Sequence, residues 1–76
     1  MGDALWPYER VLVDLRRKIE SGELQPGSQL PTRLKLAAEY RVTHMTVQRA
    51  IDTLKEEGLL YSRPGLGVYV KKSPEN

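Results

Sequence analysis

Apolar residues return at helical spacing three times along the chain and then give way to two short strand-like runs. Tyr8, Val11, Leu12, Leu15 and Ile19 share one face of a helix that Pro7 is placed to open and Ser21-Gly22 to end. The other face of that helix carries Arg10, Asp14, Arg16, Arg17, Lys18 and Glu20. Mixed signs of this kind read most simply as a solvated surface, with a phosphate contact from Arg16 to Lys18 as the lesser alternative. The turn dipeptide Pro26-Gly27 breaks the next segment, so Leu24 to Leu30 is expected to be a loop with a minimal strand near Gln29-Leu30. Such a strand can pair with a later hairpin.

Thr32 then stands as the cap of a short second helix whose buried stripe is Leu36, Ala37 and Tyr40, with Leu34 off that stripe. Arg41-Val42 makes a turn, and Thr43 caps a third helix with Val47, Ala50, Ile51 and Leu54 at i, i+3, i+4 and i+7. His44, Met45, Gln48, Arg49 and Asp52 are left toward solvent or a partner, and Gly58 supplies a left-handed stop. Leu59 to Arg63 and Val68 to Lys71 read as strands joined by Pro64-Gly65-Leu66-Gly67. The predicted fold is mostly α with a small β-hairpin: a winged helix-turn-helix of three helices and a C-terminal two-stranded wing. Residues 1–72 are assigned to that domain, and residues 73–76 to a tail or the start of a linker.

A chain of 76 residues is one domain at most, burying only about 60% of its unfolded surface, so a deep catalytic cavity is not expected. The hydrophobic share of 39% with a mean hydropathy of −0.51 is that of a soluble globular unit, and no apolar run approaches the roughly 20 residues that cross a bilayer. Met1-Gly2-Asp3-Ala4 has no basic segment ahead of a long apolar core, so no signal peptide is expected and the cytoplasm is the default. There is no cysteine, hence neither a disulfide nor a thiolate metal site. The formal charge is only +2, although the pI of about 9.1 suits a nucleic-acid-binding domain. Distribution says more: Arg33, Lys35, Arg41 and Arg49 against Glu39 concentrate +3 between residues 33 and 49, leaving −1 elsewhere.

Long hydrogen-bonding side chains in the first two turns are what a recognition helix needs, because that end reaches base edges in the major groove. His44, Met45, Gln48 and Arg49 occupy those turns. Gln can bridge N6 and N7 of adenine, and Arg can bridge O6 and N7 of guanine. Thr43 and Thr46 are short donors suited to phosphate at a helix N-terminus. Taken alone, such a face is usually only solvated, and Met45 is either a loose packing residue or a contact for a thymine methyl. The order of elements strengthens the functional reading. Gly65 and Gly67 are explained first by positive φ in a turn, yet Arg63 beside a slim tip also suits a wing at a minor groove. His44 has no second ligand or orienting partner, so no metal, cofactor or catalytic site is expected.

These residues resemble the N-terminal DNA-binding domain of GntR-family bacterial transcription regulators from Tyr8 to Val70. Ser21-Gly22-Glu23-Leu24-Gln25-Pro26-Gly27 matches the family's G-x-L-x-P-G turn, Leu30-Pro31 its L-P entry and Leu36-Ala37 its L-A pair. Thr43, Thr46-Val47 and Ala50 match S-R-x-T-V-R-x-A-L, with Ile51 for Leu. Glu57-Gly58-Leu59-Leu60 and Gly65-Leu66-Gly67-Val68-Tyr69-Val70 match E-G-L-L and G-x-G-T-F-V. The details suggest the HutC-like branch. Departures fall on contact positions: the family's arginines in L-P-S-E-R-x-L-A, after the capping Ser and after T-V stand at Leu34, His44 and Gln48. Arg33 and Arg49 are each one residue away, but one step is a rotation of roughly 100°, so they are not expected simply to replace what is lost. Arg41 replaces a Gly, where a left-handed turn would cost about 1 kcal/mol. An altered operator preference is therefore expected, with Gln48 favouring adenine. Leu34 either touches a sugar or thymine methyl or simply packs at the helix edge.

The resemblance implies sequence-specific binding of double-stranded DNA, as the operator-reading module of a repressor. The third helix would enter the major groove and the wing would sit at the minor groove. The expected DNA-binding residues are Arg33, Lys35, Thr43, His44, Met45, Thr46, Gln48, Arg49, Arg63, Gly65 and Gly67. It further implies a homodimer on a pseudo-palindromic operator, formed through a C-terminal domain that binds a small effector. The chain ends just after the last strand and is read as an excised piece of such a regulator in preference to an unusually short one. The rival reading is a winged-helix protein-protein interaction module that has lost DNA binding. An enzyme is not expected, nor a membrane partner.

Overall fold

Proline at one end and a left-handed glycine at the other bound the first helix. In the computed structural model, which describes residues 6–71, α1 spans Pro7–Ser21 and stops where Gly22 takes φ 89°. The assignments to residues 1–4 and to 73–76 lie outside the described residues. α2 (Arg33–Tyr40) begins where Thr32 Oγ1 accepts the Lys35 backbone N–H at 3.1 Å. α3 (His44–Glu56) begins likewise, with Thr43 Oγ1 accepting from Thr46 N at 3.2 Å. Between them Arg41 takes φ 58° and ψ 50°, the left-handed conformation anticipated where the resemblance puts a glycine, held on a side chain that disfavours it.

The wing is an antiparallel pair, β1 (Leu60–Arg63) with β2 (Gly67–Val70), in the register Leu60 to Val70 and Arg63 to Gly67. The second strand starts one residue earlier than its apolar run, because Gly67 pairs with Arg63. The expected minimal strand exists: Gln29 bridges to Tyr69, Leu30 N donates to Val68 O at 2.7 Å and Val70 N to Ser28 O at 2.9 Å. The loop before α2 thus seats the hairpin against the helices.

Val11 and Leu15 of α1, Leu30, Leu36 of α2, Val47, Ala50, Ile51 and Leu54 of α3, and Leu60 and Val70 of the wing form the core. Of the stripe predicted for α2, only Leu36 is fully buried, while Ala37 and Tyr40 are half-buried at its rim. A phenol drawn partly out of water needs a polar partner, and the Tyr40 hydroxyl donates to Asp14 of α1. Burial and that bond push the tyrosine well above its ordinary range. The basic run of α1 is paired within the molecule. Arg16 meets Glu57 through two bonds of 3.1 and 2.6 Å, and Arg17 and Lys18 both meet Asp14.

Candidate nucleic-acid interface

The front of α3 is open to solvent. His44, Met45 and Arg49 are exposed and Thr46 and Gln48 half-buried, while Val47, Ala50, Ile51 and Leu54 of the same helix are sealed in the core. This is the division that the spacing predicts, with Met45 70% and Leu34 73% exposed although both are apolar.

One recess is lined by Arg33, His44, Met45, Thr46, Gln48, Arg49 and Asp52. A second, between α2, α3 and the wing, is lined by Arg33 and Gln48 again, together with Lys55, Arg63, Gly65, Leu66 and Gly67. Arg33 and Gln48 therefore stand on the ridge shared by the helix front and the wing. Lys35 and Thr43 are exposed but line neither recess.

Side-chain contacts here cross from helix to helix, which spacing within one helix does not report. Arg33 Nη1 donates to Gln48 Oε1 at 3.0 Å, and Gln48 Nε2 donates to Asp52 Oδ1 at 2.8 Å. The guanidinium of α2 thus reaches Gln48, the α3 position at which the resemblance leads one to expect an arginine. Asp52, left toward solvent or a partner by the spacing and not among the expected contacts, orients that amide. Its i, i+4 spacing from Gln48 was the available signal. Arg49 instead turns toward α1, its guanidinium 4.3 Å from the centre of the Tyr8 ring. The Tyr8 hydroxyl lies 2.7 Å from Thr53 Oγ1, which donates to Arg49 O at 3.1 Å. Nothing in the local pattern pointed to Tyr8 as a support for Arg49.

At the wing, Leu66 N donates to Arg63 O at 2.9 Å, closing a turn with Pro64 second and Gly65 third at φ 78°. That is the arrangement of a type II turn. Gly67 has φ 127°, and Gln29 Nε2 donates to Leu66 O at 2.7 Å across its open side. Gln29, absent from the expected site, braces the tip. Behind it Tyr61 and Tyr69 stack at 5.9 Å, with the Arg63 guanidinium 5.5 Å from the Tyr69 ring centre. Among the described residues no cluster of His, Cys, Asp and Glu is placed to hold a metal ion, and no helix is long and apolar enough to cross a membrane.

Comparison with known proteins agrees with this geometry. The chain is 38% identical over 65 residues to the transcriptional repressor NagR of Bacillus subtilis, covering 86% of this chain and 27% of that protein. It is 36% identical over 63 residues to the histidine utilization repressor of Klebsiella aerogenes, covering 83% of this chain and 26% of the relative. It therefore spans about a quarter of the length of these relatives. Among solved structures, the AraR DNA-binding domain in complex with an operator superposes with a TM-score of 0.85 at 31% identity, covering 92% of this chain and 84% of that one. The family model for bacterial regulatory proteins of the gntR type matches residues 7–70. From the opening proline of α1 to the last residue of β2, the chain belongs to the gntR family of bacterial regulatory proteins.

Proposed function

We propose that this chain is the operator-reading module of a bacterial transcription repressor, binding double-stranded DNA by sequence. The observation that carries the reading is α3 itself: four core residues anchor one side while His44, Met45, Gln48 and Arg49 stay accessible in its first two turns. A helix so mounted enters the major groove, and the narrow tip at Gly65 and Gly67 with Arg63 lies at the adjacent minor groove. Thr43 and Thr46 at the start of α3, with Arg33 and Lys35 from α2, supply the contacts to backbone or base edges. The names of the relatives, repressors among them, and the AraR domain held on its operator support the same role. In this reading a C-terminal domain beyond the chain binds a small effector and pairs two copies on a pseudo-palindrome. The whole protein works in the cytoplasm, and no catalytic step is involved.

Selection of bound sites from a random duplex pool, followed by titration at several salt concentrations, tests this directly. Contacts from Arg33, Lys35, Arg49 and Arg63 to four phosphates would give a log-log slope of about −3.6 per copy, and base contacts in place of any of them would make it shallower. No enriched sequence together with a flat salt response would overturn the proposal in favour of a protein-contact role.

A further inference from the structure

Resting on that reading, we propose that Arg33 is the guanine-reading side chain of this domain and that Gln48, held by Asp52, is its positioning residue. The relay runs one way. Arg33 can only donate and an ionised Asp52 can only accept, so the amide between them must turn Oε1 to Arg33 and Nε2 to Asp52. The reverse orientation would set donor against donor and acceptor against acceptor. The bonds of 3.0 and 2.8 Å thus engage both polar atoms of Gln48. Each atom keeps one further lone pair or hydrogen, so to read adenine this amide would have to offer those two together to one base edge from the orientation that Arg33 and Asp52 impose.

The guanidinium has the opposite surplus. Of its five N–H groups one is spent on Gln48, leaving a paired edge free, and the residue is exposed. Guanine offers two acceptors, O6 and N7, to such an edge, whereas adenine offers N7 beside an amino donor that would face the guanidinium. Phosphate is the other partner for an arginine at the start of α2. Two features favour the base: the side chain is tied to the second turn of α3, on the face that enters the groove, and the Asp52 carboxylate lies behind the relay, where it repels phosphate. A positive charge is thus delivered to the front of α3 from α2.

The test uses the whole chain and the duplex that it selects from a random pool. Each guanine of the half-site is then replaced by adenine. At one guanine the parent should lose about 5- to 150-fold in affinity. Arg33→Ala and Gln48→Leu should both bring that ratio near one while leaving the ratios at other positions intact. Their combination should change it no further than Arg33→Ala alone. Gln48→Glu, which keeps an acceptor for Arg33, should retain the preference while binding every duplex more weakly. If Arg33→Ala weakens all duplexes equally, Arg33 is a phosphate contact and the proposal fails. It fails equally if Gln48→Leu abolishes a preference for adenine. A parent that enriches no sequence would overturn the DNA-binding reading itself, a result distinct from either of these.

Discussion

Replacing Gly67 by alanine should loosen the wing through its backbone rather than through collision. At φ 127° the residue occupies a region that side chains rarely adopt, and an added Cβ would stand 2.6 Å from Gln29 Nε2. That atom is the far end of a flexible side chain, so it swings away and gives up its 2.7 Å bond to Leu66 O. Loss of one exposed bond costs about 0.5–1 kcal/mol. The φ strain cannot be relieved this way and costs about 1–3 kcal/mol. The sum, about 1.5–4 kcal/mol, is a large share of the roughly 4–11 kcal/mol expected for 76 residues. Each kcal/mol should lower Tm by about 4–8 °C.

Urea unfolding followed by far-UV circular dichroism, on the parent, Gly67→Ala, Gln29→Ala and the double variant, separates the two contributions. Gln29→Ala alone should cost under about 1 kcal/mol. Because Gly67→Ala already displaces Gln29, the double variant should match Gly67→Ala within about 0.5 kcal/mol. If Gln29→Ala instead restores most of the loss, crowding governs the site and the backbone argument is wrong.

Thr43→Ala, which removes the acceptor of the Thr46 N–H, should cost about 0.5–2 kcal/mol in a thermal melt. Arg41→Gly relieves a left-handed arginine at φ 58° and should stabilise by up to about 1 kcal/mol in the same melt, less whatever glycine adds to the freedom of the unfolded chain. Burial pushes the Asp14 carboxyl up, but the Tyr40 hydroxyl with Lys18 and Arg17 outweighs it and holds the group below its ordinary 3.8. Its contribution to stability is therefore complete above that pH and fades as pH falls through the lowered folded value. The stability gap between the parent and Asp14→Asn, read from urea midpoints, should narrow on acidification, and a constant gap would contradict the assignment.

Local spacing carried the fold because its determinants are neighbours in sequence. Thr32 and Thr43 cap the helices that they precede, Gly22 and Gly58 take the positive φ expected of stops, and Val47, Ala50, Ile51 and Leu54 are buried together. The exposure of His44 and Met45 followed from the same count. The contacts that tune the site were not legible. Arg33 meets Gln48 across 15 positions, Gln29 meets Leu66 across 37, and Arg49 lies over Tyr8 of α1. Such pairs depend on how α1, α2 and the wing are set against α3, and periodicity within one element holds no record of that.

That arrangement divides α3 along its length. Its rear half is gripped from several sides: Ala50, Ile51 and Leu54 are in the core, Thr53 meets the Tyr8 hydroxyl at 2.7 Å, and Glu57 just beyond meets Arg16 at 2.6 Å. The front half is fixed by Val47 and the Thr43 cap, and its other side chains contribute little to the core. Substitutions at accessible positions such as 44, 45 and 48 therefore fall where changes usually stay within about 0.5 kcal/mol of neutral. Histidine and glutamine at positions 44 and 48, where the resemblance implies arginines, therefore leave the fold intact. What such a change alters is the set of donors and acceptors offered to a base pair. Under the proposal above, the Arg33 guanidinium of the neighbouring helix, bonded to Gln48 at 3.0 Å, is a donor in that set.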